Sequence, residues 1–183
     1  MRIGALVVAV TLAAAGCSAP SSGPAEAPAA TAAGPATKPY SNLAQLMRGI
    51  PFPASNLIFD TQQTDPAKAK EAGAGAAAGA TGAFSGVYGG WQAVENAAIT
   101  LSETANLIMM PGRLCENGRP VPLDQADYQK AAQGLVDAGQ AALKAAQSKN
   151  LDAMVEVSGT VADACAACHE KYRDKPDNKD RCM

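Results

Sequence analysis

From Val87 to Ile108 the chain places an apolar residue at every third or fourth position without exception: Val87, Trp91, Val94, Ala98, Leu101, Ala105, Ile108. Only a helix, at 3.6 residues per turn, puts all seven on one side. This predicts a helix from about Phe84 to Met110, ended by Pro111-Gly112. A second stripe, Tyr128, Ala132, Leu135, Gly139, Ala142, Ala146, predicts a helix from about Asp124 to Ser148. A third follows Lys149-Asn150, with Asn150 as N-cap: Leu151, Met154, Val155, Ser158, Val161, Ala162, Cys165, His169, Tyr172. The link between these last two is so short that they should be antiparallel neighbours. A fourth pattern covers Ser41 to Gln62, with Leu43, Leu46, Met47, Ile50 and then Leu57, Ile58. Pro51 and Pro53 should break or kink it. Aromatics are 4% of residues and Ala and Gly abound, which favours close-packed helices over sheet. The expected fold is all-α, an antiparallel four-helix bundle.

The connections read as loops. Ala67 to Ala83 is too rich in glycine for a stable helix and reads as a long connection. Gly112 to Leu123, with Asn117-Gly118 and two prolines, is turn-rich and holds Cys115. Residues 18–40 are Pro/Ala/Ser/Gly-rich and bury too little to fold, so they read as a flexible linker before a domain at 41–183. A net charge of -2 offers no basic face, so nucleic acid is not an expected partner.

Residues 1–17 read as a signal peptide. Arg2 supplies the charge and Ile3 to Ala15 an apolar run too short to span a bilayer comfortably. A buried core helix is the competing reading. Ala13-Ala14-Ala15 fits an ordinary cleavage site. Ala14-Ala15-Gly16-Cys17 resembles the lipobox of bacterial lipoproteins, which would make Cys17 a lipidation site and hold the chain on a membrane surface. Either way the chain is exported. Of five cysteines, an odd number for an exported protein, lipidation removes Cys17. If Cys165 and Cys168 hold a cofactor, Cys115 and Cys182 remain, either as a disulfide in an oxidising compartment or as two free thiols.

CAACHEKYRDK, Cys165 to Lys175, carries the chemistry. Cys-x-x-Cys-His is the attachment signal of a c-type haem: two thiols add to the haem vinyl groups and the histidine meets the iron. His169 is the only histidine in the chain. A redox dithiol would need a βαβ context, and zinc would need Cys115 and Cys182 to converge with the pair. A chance structural cluster is the remaining alternative. One covalent haem c is expected, on the C-terminal helix, with its ligand facing inward.

With this motif near the C-terminus of a four-helix pattern, and Tyr172 and Arg173 after it, the chain resembles the class II c-type cytochromes, the cytochrome c′ family. The proline-broken first helix and the Ala/Gly stretch depart from the usual pattern. The Pro111 to Pro122 loop looks like a family branch that pairs a loop cysteine with a C-terminal one, here Cys115 and Cys182. The resemblance implies that the first helix supplies the far side of the haem. Low-spin members place a methionine ligand there, and high-spin members a bulky apolar residue.

The sixth iron position decides the function. Met154 lies fifteen residues before His169 on one helix, roughly 22 Å away. Met183 is terminal; Met109 and Met110 stay open. Met47 is the expected ligand, against a reading in which Met47 is core and Leu43 or Leu46 caps an open iron. Arg173 either neutralises a haem propionate or is a solvated charge near a helix end. Tyr172 should pack beside the haem. His/Met ligation would suit an exported, non-enzymatic carrier of single electrons, periplasmic and lipid-anchored, with protein redox partners. A five-coordinate protein binding nitric oxide or another diatomic gas is the alternative. A peroxidase would need a polar group over the iron, and Leu43, Leu46, Met47 and Ile50 offer none. Relatives are often dimers through their first two helices, so a homodimer is a further expectation.

Overall fold

The computed structural model describes residues 37–68 and 88–182. The expected signal peptide with Cys17, most of the expected linker, most of the Ala/Gly stretch, Phe84 to Val87 and Met183 lie outside the described residues. Among the described residues there are five α-helices and no β-strand, only an isolated bridge between Leu114 and Pro120. They are α1, Leu43–Gly49; α2, Pro51–Phe59; α3, Trp91–Ile108; α4, Ala126–Ser148; and α5, Leu151–Tyr172.

The first two are one expected helix broken in two. Asn42 opens α1 with a capping box, its side chain accepting from the Gln45 amide while Gln45 accepts from the Asn42 amide. At Ile50 the backbone leaves the helical region and Pro51 starts α2 at its first position, where a missing N–H costs no hydrogen bond. Pro53, also in the first turn, is tolerated for the same reason. The break redirects the apolar face: Ile58 is buried, but Leu57, expected in the stripe, is exposed.

α3 begins later than expected, at Trp91, because a turn over Tyr88 to Gly90 precedes it. Gly90 has φ +60, and a Cβ there would sit 2.9 Å from the Pro66 carbonyl oxygen. The described stripe from Trp91 to Ile108 is buried throughout. Tyr128, Ala132, Leu135, Ala142 and Ala146 of α4 are buried against it. At their crossing Gly139 lets the α4 backbone lie on Ser102 and the Ala98 carbonyl of α3. α3 packs chiefly on α4, α4 on α5, and α2 on both α3 and α5, which closes a four-column bundle.

Lys149, with φ 52, turns the chain in the left-handed region, and the Asn150 side chain accepts from the Ala153 amide to start α5. The buried line of α5 is Met154, Ser158, Val161 and Tyr172. Val155 and Ala162, expected in it, are exposed. They and His169 are spaced by seven, so all three share one flank of the helix rather than its centre.

The C-terminal tail folds back. Cys182 forms a disulfide with Cys115 of the α3–α4 loop. The Cys182 amide donates to the Tyr172 carbonyl at 2.8 Å, and the Glu116 amide donates to the Cys182 carbonyl at 3.0 Å. Asn117 Nδ2 donates to the carbonyls of Lys179 and Arg181. Deeper in, Arg113 is 4% exposed. Its Nε donates to the Leu107 carbonyl at 3.0 Å and its Nη1 to the Ser41 carbonyl at 2.7 Å, tying the end of α3 to the entrance of α1.

Candidate functional site

The last two turns of α5 carry Cys165, Cys168 and His169. A spacing of three puts the two sulfurs on one face of a helix, and a spacing of four sets His169 above Cys165. All three open into a cavity of about 360 Å³, within the usual size range of cofactor pockets. Its walls come from every column of the bundle. α1 gives Ala44, Met47 and Arg48; α2 gives Pro51, Phe52 and Ser55. Ile108 closes the α3 side, and Ala131 and Leu135 the α4 side. Glu116, Arg173 and Arg181 complete the lining from the loop and the tail.

Burial sets the protonation of the reactive groups. Desolvation raises the Cys165 thiol, partly offset by Arg173, and desolvation with the neighbouring Cys165 pushes Cys168 up to about 11. Both are therefore thiols at neutral pH. Desolvation, helped by Arg173 and opposed by Asp174, lowers the His169 pKa. The imidazole is then neutral at neutral pH and can offer a lone pair to a metal.

Met47 lines the same cavity as His169 and is partly buried against the core. Leu43 and Leu46, the other expected caps, do not line it; both are buried in the core. The bulky apolar residue facing the cavity beside Met47 is Phe52, 62% exposed. Phe52 was hidden in the sequence because the break at Ile50 resets which residues share a face. The wall is also less apolar than expected. Ser55 is there, its hydroxyl donating to the Phe52 carbonyl at 3.0 Å, and Arg48 lies 3.6 Å from Glu116.

Arg173 lines the cavity, but its guanidinium is engaged by Asp174 through Nε at 2.7 Å and Nη2 at 3.2 Å. Tyr172 is not part of the lining. Its ring packs edge-on against Tyr128, centroids 5.2 Å apart, and its hydroxyl donates to Gln125 Oε1 at 3.0 Å. Tyr172 thus braces the cysteine-bearing turn from the core side. Met109 is packed against the core, Met110 is half-buried, and neither lines the cavity. Met154 is fully buried in the core.

The donor set fits a covalently held haem. Two thiols and a neutral imidazole share one mouth, the walls behind them are largely apolar, and cationic side chains stand at the rim for carboxylates. Among the described residues no group of three or more His, Cys, Asp and Glu side chains is placed to hold a bare metal ion, and Cys115 and Cys182 are bonded to each other. No described helix is long and apolar enough to cross a membrane.

A family model described as Cytochrome C' matches residues 121–173, which span α4, α5 and the Cys-x-x-Cys-His motif. No curated protein and no solved structure matches the chain.

Proposed function

We propose, on the premise that residues 121–173 belong to the cytochrome c′ family, that this haem-binding c-type cytochrome is an exported carrier of single electrons. Cys165 and Cys168 would hold the haem through thioethers and His169 would ligate its iron. Bound haem supplies an iron that cycles between ferric and ferrous states. The protein's part is to fix that iron, set its sixth ligand and keep water away. The observation that carries the reading is Met47, a thioether on α1 lining the cavity into which His169 opens. As a ligand to that iron, the Met47 thioether would raise the reduction potential and disfavour binding of added ligands.

The chain's other groups suit transfer of an electron better than catalysis. The Ser55 hydroxyl is engaged by the Phe52 carbonyl and the Arg48 guanidinium by Glu116 in solvent. Neither is a free acid or base over the iron. Export, with Cys17 lipidated and the bundle tethered to a membrane surface, would bring it to membrane or periplasmic redox proteins and would account for the odd cysteine. Intact mass of membrane-extracted protein tests the anchor: a mass without acyl chains rejects it.

Phe52 supports a second reading. If Phe52 and Met47 only wall the cavity, the iron stays five-coordinate and binds nitric oxide or a similar diatomic gas. The visible spectrum of the matured protein, ferric and ferrous, with and without carbon monoxide, separates the two. Electron transfer predicts a low-spin spectrum with the far-red methionine-to-iron band, lost in Met47→Ala. A high-spin spectrum that shifts on adding the gas makes gas binding the function. No haem spectrum at all rejects both.

A further inference from the structure

We propose that Arg181, held in place by the Cys115–Cys182 disulfide, is the residue that binds a carboxylate of the haem at the cavity mouth. This rests on the haem reading above and adds a cofactor contact that lies outside the segment matched by the family model.

Three guanidiniums line the cavity: Arg48, Arg173 and Arg181. Two are already matched by carboxylates. Arg173 is gripped by Asp174 through two nitrogens, and Arg48 pairs with Glu116. Among the described residues Arg181 alone of the three has no carboxylate within ion-pair distance. Its Nε donates instead to the Lys175 carbonyl at 2.8 Å, which fixes the side chain, while Asp174 and Asp177 feel its charge without coming within ion-pair distance. It is half-buried, so water screens it less than a free surface arginine. A planar guanidinium with open N–H groups at the rim of a largely apolar cavity is suited to a carboxylate of the group inside. Haem carries two such carboxylates on one edge.

The tail has little to hold it except the clasp. Between the end of α5 and Cys182 it forms only a short 3-10 turn. Cys182 is joined to Cys115, its amide and carbonyl are bonded to Tyr172 and Glu116, and Asn117 holds the Arg181 carbonyl. The disulfide therefore fixes the backbone on one side of Arg181, and the Lys175 carbonyl fixes its side chain.

A cation beside the haem stabilises the reduced form, which has gained an electron, and so raises the midpoint potential. The test is a spectroelectrochemical titration of the haem-loaded full chain at low ionic strength. Arg181→Gln should lower the midpoint potential, and Arg181→Lys should restore much of it. Lys144→Gln, which removes an exposed charge far along α4, should leave it unchanged. The difference between wild type and Arg181→Gln should shrink as salt is added. Cys115→Ala/Cys182→Ala should lower the potential too, and adding Arg181→Gln to that pair should lower it little further. A haem-loaded wild type whose potential is the same in Arg181→Gln overturns this inference and leaves the electron-transfer reading standing. A wild type that takes no haem overturns both.

Discussion

At the residue scale the chemistry sits in two thiols and one imidazole whose ionisation is governed by burial. In the haem-free chain, Cys168 with its pKa near 11 should react slowly with an alkylating reagent at neutral pH, because the thiolate is the nucleophile. Its alkylation rate should climb roughly tenfold per pH unit up to about 11, and a rate that levels off near the ordinary thiol value of 9.0 would show the site to be open to water. The same shift bears on stability. A thiol whose folded pKa is raised keeps its proton more tightly in the folded chain, so the haem-free protein loses stability as pH rises from 9.0 towards 11. Denaturation midpoints across that window measure it, and Cys168→Ser should flatten the slope. These three residues stand out in the sequence through the Cys-x-x-Cys-His spacing, and the structure opens all three onto one cavity. Phe52, Ser55, Arg48 and Arg181 do not stand out. No local pattern marks them, and they reach the cavity only because a helix break and a cross-link bring distant segments together.

At the scale of elements, close packing of small residues decides the stability of the α3–α4 pair. A methyl group at Gly139 would run into Ser102 Oγ, the Ser102 amide nitrogen and the Ala98 carbonyl oxygen, two of which are backbone and cannot step aside. Gly139→Ala should therefore destabilise the protein by roughly 1–3 kcal/mol through overpacking. Gly134, on the same helix, meets nothing within 4 Å. Gly134→Ala should stabilise by roughly 0.5–1 kcal/mol, since alanine loses less backbone freedom on folding. Urea titrations of the two variants check this pair; equal signs would mean that α3 and α4 do not approach as closely as described. The long stripes of α3 and α4 were legible because periodicity survives over many turns. α1 and α2 were legible only as an interrupted pattern. Proline announces a break but not the rotation it imposes, so in α2 Ile58 turns to the core while Leu57 is exposed. The stripe of α5 was over-read by the residues on its flank.

At the scale of the molecule, the Cys115–Cys182 link closes a loop with a sequence separation of 67, around α4 and α5. Opening a loop of that size frees the unfolded chain and should cost roughly 2–5 kcal/mol. Guanidinium unfolding with and without a thiol reductant measures it, and coincident curves would mean that the link contributes nothing to the folded state. Counting cysteines pointed to this pair, but not to what the tail does once pinned, because that depends on contacts across the whole bundle. Arg113 acts over a similar span, reaching Ser41 72 positions earlier in the sequence. For anyone engineering the protein, this arginine marks where the bundle can be cut. A tag or fused domain can join ahead of Ser41 and leave the arginine its acceptors. A chain started one turn later would leave a buried guanidinium short of partners, at a cost of roughly 1–3 kcal/mol or more.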